Sequence, residues 1–182
     1  MKNLESRVDT PSSGWLASEV GMGKSAIVLA LVASDQLAGS TSRTTTVVLT
    51  SVSLMGQWED EAKKHAPGLT IRRFHPPSRS KVALDLTKDS NRSEIRKTDI
   101  ILSTATFEWP VSVTSKYEFH RVVIDEAHLL GNTRTANLLW AKKLKANRKW
   151  CVTATPCTAS ILDLKSQMQF LGLDSGHFKR AF

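Results

Sequence analysis

Short runs of apolar and β-branched residues alternate along the chain with longer stretches in which apolar residues recur at the spacing of a helix. The short runs predict strands, and the periodic stretches predict helices. Their alternation indicates an α/β fold in which a mostly parallel sheet is flanked by crossover helices. The predicted strands are Trp15–Ala17, Thr46–Thr50, Thr70–Phe74, Ile100–Thr104, Arg121–Ile124 and Trp150–Thr153, and the predicted helices are Lys24–Leu37, Leu54–His65, Arg134–Lys145 and Ala159–Phe170.

The second predicted helix carries Leu54, Trp58 and Ala62 at helical spacing, which places them on one face. We therefore expect Trp58 to be a core side chain rather than a platform on which nucleic-acid bases stack. Residues 75–98 are rich in Pro, Ser, Lys and Arg, and they are predicted to form a loop with one short helix. The predicted core side of the helix over 134–145 consists of Ala136, Leu139, Trp140 and Leu144.

The first predicted strand is followed by the sequence Val-Gly-Met-Gly-Lys-Ser, which leads into an apolar helix. Gly21 and Gly23 allow a tight turn whose backbone N–H groups can point at phosphate oxygens. Lys24 can supply a cation to the β- and γ-phosphates, and the Ser25 hydroxyl can reach Mg²⁺. The pattern departs from a full phosphate loop at Ser18, where glycine is expected. The predicted nucleotide-binding residues are Gly21, Met22, Gly23, Lys24 and Ser25.

The strand over 121–124 leads into the sequence Asp-Glu-Ala-His. It carries Asp125 to the carboxyl edge of the sheet, where open α/β folds bind their ligands. There Asp125 can hold Mg²⁺ together with Ser25, and Glu126 can orient or deprotonate an attacking water. Either motif alone is a weak signal, but the two in this order indicate an ATP-driven motor that acts on nucleic acid. Asp125 and Glu126 are therefore the predicted catalytic residues.

The formal net charge of +8 favours a polyanionic partner. Between Glu126 and Asp163 there is no acidic residue, although individual lysines in that span are explained equally well by a solvated helix face. Cys151 and Cys157 lack the spacing of a metal site and are expected to be buried free thiols. No apolar run is long enough for a membrane span and no secretory signal is evident, so an intracellular protein without a membrane partner is expected.

Five blocks along the chain, in this order, resemble those of the Swi/Snf-type helicase-like ATPases of superfamily two. The similarity runs from about Gly14 to Phe178. The last block, Trp-Cys-Val-Thr-Ala-Thr-Pro, is most similar to the subgroup that carries a RING finger and acts in DNA-damage tolerance. The five blocks are Gly14–Ser25, Val47–Glu61, Asp99–Thr104, Asp125–His128 and Lys149–Pro156, with departures at Ser18, Ser51, Ala105 and Ala154.

The resemblance implies a RecA-like phosphate-loop NTPase lobe, the first of two lobes in a motor that uses ATP and Mg²⁺. It divides the chain into an N-terminal extension over residues 1–13 and an ATP-binding lobe over residues 14–182. DNA is the expected partner, held by phosphate contacts that are independent of sequence. A second RecA-like lobe, in cis or in trans, is expected to supply an arginine for catalysis, so the chain is expected to be a fragment with little turnover alone. In a eukaryote the protein is expected in the nucleus.

The resemblance also assigns roles to polar residues at the ends of the predicted strands. Thr153 and Thr155 are expected to bond towards His128 and to relay the nucleotide state to the nucleic-acid side. A Thr-rich strand end that satisfies its own backbone would be the commoner arrangement. The residues expected where the lobe meets the phosphates of a tracked strand are Ser53, Gln57, Thr104 and Thr106.

Two other functions stay open from the sequence. In the first, the chain is a catalytically inactive module that keeps the fold and binds nucleic acid or protein. In the second, it belongs to another ATPase, such as a restriction or viral helicase subunit. A downstream lobe with a Gln-x-x-x-Arg-x-x-Arg-like block would favour the motor over the inactive module.

Overall fold

The computed structural model describes residues 1–5, 12–37, 44–74, 92–106, 108–157 and 161–173. No helix in these ranges combines the length and the apolar character needed to cross a bilayer. The strands are β1 (Gly14–Ala17), β2 (Thr46–Leu49), β3 (Ile71–Arg73), β4 (Ile100–Ser103), β5 (Glu118–Asp125) and β6 (Lys145–Thr153). The helices are α1 (Lys2–Glu5), α2 (Lys24–Leu37), α3 (Met55–His65), α4 (Arg92–Arg96), α5 (Val111–Thr114), α6 (Ala136–Lys143) and α7 (Ile161–Leu171).

The described strands form one sheet in the order β1-β6-β5-β2-β4-β3, and every neighbouring pair is parallel. This arrangement confirms the predicted α/β class with a parallel sheet. Because parallel strands end at the same edge, Ala17, Leu49, Ser103, Asp125 and Thr153 mark one carboxyl edge. The residues predicted to carry chemistry follow directly after these strand ends.

The core lies on both faces of the sheet. In β5, Val122 and Ile124 pack into one apolar cluster together with residues of α6 and α7. Val123 points into the other cluster, which contains residues of α2 and α3. Strands covered on both faces have near-continuous apolar sequences. This burial explains why the apolar runs predicted the positions of the strands correctly.

Both β5 and β6 begin earlier than predicted. The earliest of the added residues pair with each other, with Glu118 opposite Lys145 and Phe119 opposite Ala146. β2 pairs with β5 only from Arg121 onwards, and β1 pairs with β6 only from Trp150 onwards. The early part is therefore a two-stranded ribbon in which Phe119 reaches the core, but a continuous apolar run is not required.

Helix α6 is shorter than predicted and buries a different face. Its cap is Thr135, whose Oγ1 accepts a hydrogen bond from the backbone N–H of Leu138 at 3.4 Å. Leu138 and Ala141 are buried, whereas Ala136 is exposed and Leu139 is 53% exposed. The predicted core side was therefore wrong at Ala136 and Leu139. Consecutive apolar residues in Leu-Leu-Trp-Ala fit several helix faces, so periodicity did not select one.

The first five residues, predicted to belong to an extension, contact the amino-terminal end of the sheet. Glu5 Oε1 accepts hydrogen bonds from Arg121 Nε and Trp150 Nε1, each at 2.7 Å. The Arg121 side chain is fully buried, and its Nη2 also lies 3.0 Å from Asp35 Oδ2. Burial raises the pKa of Asp35, but hydrogen bonds from His120 and Arg121 outweigh it and lower that pKa. The division of the chain at residue 14 stays a prediction, although α1 packs on the lobe.

Candidate nucleotide-binding site

The phosphate loop connects β1 to the first turn of α2 at the carboxyl edge of the sheet. Gly21 and Gly23 have φ values of 82° and 68°, in the left-handed region that glycine adopts without steric strain. α2 begins at Lys24, and its positive N-terminal end therefore faces the loop. This arrangement is the one that an anion-binding loop requires.

Lys24 is held across the loop by two backbone carbonyl groups. Its Nζ donates to the oxygens of Ser18 and Glu19, at 3.0 Å and 2.9 Å. The contact with Ser18 uses its backbone carbonyl oxygen, and the Ser18 side chain takes no part in it. Serine at the position where glycine is expected is therefore compatible with the position of the lysine.

Asp125, at the end of β5, is oriented by three hydrogen-bond donors. Its Oδ2 accepts from Trp58 Nε1 at 2.8 Å and from Thr50 Oγ1 at 3.2 Å. Its Oδ1 accepts from the backbone N–H of Glu126 at 3.1 Å. A carboxylate oxygen can accept more than one hydrogen bond, so these contacts fix the plane of the group and leave acceptor capacity.

Glu126 adopts a strained backbone conformation immediately after that strand. Its φ of 55° and ψ of 60° are left-handed, and no other described residue except glycine has a positive φ. This conformation costs a non-glycine residue about 1–2 kcal/mol. Such strain is concentrated at functional sites. The Oε2 atom of Glu126 lies 3.3 Å from Nδ1 of His128, which belongs to a 3₁₀ turn over Ala127–Leu130.

A cleft of about 330 Å³ joins these two motifs. Its lining includes Gly21, Lys24 and Ser25 on one side, and Asp125 and Glu126 on the other. The donor set suits Mg²⁺ bound to a nucleotide, because that ion takes few protein oxygens and completes its shell with phosphates and water. The part of the chain that the structure describes holds no cluster of three or more His, Cys, Asp or Glu residues around a metal.

The predicted coupling residues Thr153 and Thr155 lie at the end of β6, the strand beside β5, and do not bond to His128. The Thr153 side chain is buried, and its Oγ1 accepts from the backbone N–H of Thr155 at 3.1 Å. Thr155 is exposed. The strand end therefore satisfies its own backbone in this conformation, and the relay role stays a prediction.

The residues predicted to contact nucleic acid occupy the same edge of the sheet. Ser53 is exposed and its Oγ lies 2.9 Å from that of Ser51, while Gln57 is exposed and lines the cleft. Thr104 is buried, and its Oγ1 lies 2.9 Å from that of the exposed Thr106. The four residues follow β2 and β4, which are adjacent strands. Their contact with DNA stays a prediction.

Sequence reasoning missed two contacts that hold the site together. Trp58 was expected only in the core, and it is 2% exposed, but its indole N–H bonds the carboxylate of Asp125. Gln167 of α7 is fully buried and joins Trp15 of β1 to the carbonyl of Pro156 after β6. The available signal for the second contact is a glutamine one turn before the apolar Phe170 and Leu171, because buried amides need partners. No feature of the sequence near Trp58 or Asp125 signals the contact between them.

Comparison with known proteins places the chain in a family. The SNF2-related domain matches residues 2–182. A probable global transactivator of the Orgyia pseudotsugata multicapsid polyhedrosis virus is 32% identical over 166 residues, which cover 88% of this chain and 31% of the viral protein. The DNA repair protein RAD5 of Yarrowia lipolytica is 31% identical over 190 residues, covering 88% of this chain and 17% of that protein.

A solved structure supports the same assignment. The Sulfolobus solfataricus SWI2/SNF2 ATPase core in complex with double-stranded DNA superposes with a TM-score of 0.70 at 28% identity. The match covers 92% of this chain and 34% of that one, so the chain spans about a third or less of these relatives. The match to the domain over nearly the whole length shows that the chain belongs to the SNF2-related family of helicase-like ATPases.

Proposed function

We propose that the cleft binds Mg-ATP and that the chain is the ATP-binding lobe of a DNA-dependent translocase or remodelling motor. The family uses ATP, which supports the choice of nucleotide. The observation that carries the proposal is the convergence of Lys24, Ser25, Asp125 and Glu126 on one cleft. Those residues come from two elements that are a hundred residues apart in sequence.

Each residue of the cleft has a distinct task in this proposal. Backbone N–H groups of Gly21–Ser25 and the Lys24 ammonium bind the phosphates, and the hydroxyl of Ser25 together with Asp125 holds Mg²⁺. When bound, the metal neutralises charge that develops on the β- and γ-phosphate oxygens. Glu126 orients the attacking water and accepts its proton.

Turnover in this proposal requires a second RecA-like lobe. An arginine supplied from outside a phosphate-loop site raises phosphoryl-transfer rates by about 10³–10⁵ in comparable systems. The chain spans about a third or less of its relatives, so their remaining length can hold that lobe. We infer that the chain alone binds ATP but hydrolyses it slowly.

DNA is the proposed partner. The related Sulfolobus core was solved with double-stranded DNA, and this chain carries a net charge of +8. Ser53, Gln57, Thr104 and Thr106 are proposed to contact phosphates at the carboxyl edge. Similarity to RAD5 supports a role in DNA repair and suggests the RING-containing subgroup. In a eukaryotic cell the proposed location is the nucleus.

The test is the affinity for Mg-ATP after Lys24→Ala, measured by isothermal titration calorimetry. The substitution removes a charge-assisted contact to phosphate, so affinity is expected to fall at least 10-fold. Lys116→Ala is the matched control, because it removes the same charge from an exposed site outside the cleft. Circular dichroism establishes that both variants are folded.

Two outcomes would contradict the proposal. If the unmodified chain does not bind Mg-ATP, the fold has been kept without the nucleotide site, as in a non-catalytic binding module. If Lys24→Ala and the unmodified chain bind with equal affinity, the phosphates lie elsewhere and the assignment of the cleft is wrong.

A further inference from the structure

Trp58 makes an unusual contact for a core tryptophan, because its polar atom reaches the carboxylate predicted to bind the metal. The side chain is 2% exposed and packs in the cluster beneath α2 and α3. Its Nε1 lies 2.8 Å from Asp125 Oδ2, across 67 residues of sequence. A buried indole N–H needs an acceptor, so this hydrogen bond is a fixed part of the folded lobe.

We propose that Trp58 is a positioning residue that sets the orientation of Asp125 for the metal of Mg-ATP. The proposal rests on the proposed nucleotide site. Asp125 ends a strand, and its side chain could otherwise rotate about its last bond. The indole N–H is the shorter of two donors to Oδ2, the other being Thr50 Oγ1 at 3.2 Å.

The arrangement leaves the carboxylate able to act as a ligand. Oδ1 accepts one backbone N–H, from Glu126, and keeps a further lone pair. Asp125 is half-buried and lines the cleft, as Trp58 itself does. A donor behind a ligating carboxylate is the kind of outer contact that orients metal ligands, and its loss typically lowers metal affinity by about 10–100-fold.

The fold also explains why this position is occupied by tryptophan. α3 lies against the sheet through Met55, Trp58 and Ala62, which are all buried. From that face the indole N–H of Trp58 reaches the carboxylate at the end of β5. Phenylalanine has no N–H group, so Trp58→Phe removes the contact, and the smaller ring also lowers stability through the cavity that it leaves.

The experiment measures the Mg²⁺ concentration at half-saturation of ATP binding in Trp58→Phe and in the unmodified chain. We expect the midpoint for Mg²⁺ to rise at least 10-fold in the variant. Binding of ATP in the presence of EDTA should stay unchanged, because the phosphate loop is intact. Thr50→Val removes the longer bond without altering the ring and should raise the midpoint by a smaller factor.

Trp150→Phe is the matched control. Trp150 belongs to the same apolar cluster, is 1% exposed and donates its indole N–H to a carboxylate, that of Glu5, at the opposite end of the sheet. Trp150→Phe should lose about as much stability as Trp58→Phe does, but it should keep the Mg²⁺ midpoint of the unmodified chain. An unchanged midpoint in Trp58→Phe, or an equal rise in both tryptophan variants, would overturn the positioning role.

If Trp58→Phe does not fold, replacement of Trp58 by β-(3-benzothienyl)alanine decides the matter in the same way, because this residue keeps both rings and lacks the N–H group. The failure of this inference can be distinguished from failure of the proposed function. An unmodified chain that does not bind Mg-ATP contradicts the function itself. An unmodified chain that binds Mg-ATP, with no specific effect of the Trp58 and Thr50 substitutions, contradicts only the positioning role.

Discussion

Lys149 is a charged residue in a poor environment for charge. Its ammonium lies over the Phe170 ring, 5.1 Å from the centre, which is a weak cation–π contact, and the part of the chain described by the structure gives it no carboxylate partner. Burial, together with the nearby charge of Lys142, lowers the pKa of Lys149. The folded state therefore holds this proton less tightly than the unfolded state does. Stability rises with pH between the folded pKa and the ordinary value of about 10.4.

We predict that Lys149→Met stabilises the lobe. Methionine keeps contact with the Phe170 ring and removes the buried charge, so the free energy of unfolding at pH 7 should increase by about 0.5–1 kcal/mol. The variant should also lose the rise in stability with alkaline pH. Urea unfolding at pH 7 and above measures both effects. Lys145→Met, at an exposed position of the same strand, serves as the control, and destabilisation by Lys149→Met would contradict the prediction.

At the residue scale, local chemistry was predictable and distant partners were not. The glycines of the phosphate loop and the Asp-Glu pair are recognisable because their function depends on neighbours in sequence. The fully buried Arg121 looks like an ordinary strand residue, since its partners Glu5 and Asp35 lie 116 and 86 residues away. No periodicity encodes such a contact.

At the scale of elements, α7 connects the strand before the phosphate loop to the segment after β6. The Gln167 Oε1 atom accepts from Trp15 Nε1 at 2.8 Å, and its Nε2 donates to the Pro156 carbonyl at 2.6 Å. The side chain at this position must therefore provide one hydrogen-bond acceptor and one donor, as the Gln167 amide does. Because the side chain is fully buried, water cannot replace either partner.

We predict that Gln167→Glu destabilises the lobe by about 1–3 kcal/mol at pH 7. The carboxylate keeps the contact with Trp15 but faces the Pro156 carbonyl as a second acceptor. Burial raises the pKa of such a carboxyl, and its protonated form can donate again, so stability should recover as pH falls towards 5. Gln169→Glu, on a half-buried position of the same helix, should show no such recovery. Urea unfolding at the two pH values checks this, and a loss that does not depend on pH would contradict it.

Elements were predicted well where both faces are covered and poorly where they are not. Helix α2 was predicted with the bounds that the structure shows, because the phosphate loop marks its start and Gly39 in the sequence signals its end. The early part of β6 alternates between exposed and half-buried residues, and lacks the apolar run that marks a covered strand. The short helices α1 and α5, four residues each, carry too few turns for periodicity to register.

At the scale of the whole molecule, the polar side chains discussed above lie at the two ends of the sheet, whose middle is apolar. The carboxyl end holds the cleft, and the amino end holds a buried ion-pair network around Arg121. The parallel order of strands fixes this separation and was predictable. The network at the amino end was not, because it needs α1 to fold back onto the sheet.

We predict that the chain binds duplex DNA weakly and without sequence preference. Its affinity should fall as salt rises, with a logarithmic slope of about −0.9 for each phosphate neutralised, because counterions are released. Fluorescence anisotropy with labelled duplexes of different sequence measures both properties. Affinity that does not change with salt, or an absence of binding at low ionic strength, would favour a protein-interaction module instead.

The left-handed backbone at Glu126 has a consequence for evolution. A sequence that no longer needed to activate water would gain stability by replacing this glutamate with glycine, which adopts that conformation without strain. Drift in inactive descendants should therefore lead to glycine or asparagine at this position sooner than at Asp125, whose backbone lies within a strand. Under the proposed function, a glutamate kept at this strained position in a set of descendants would indicate selection for activation of water, and a comparison of sequences is enough to look for it.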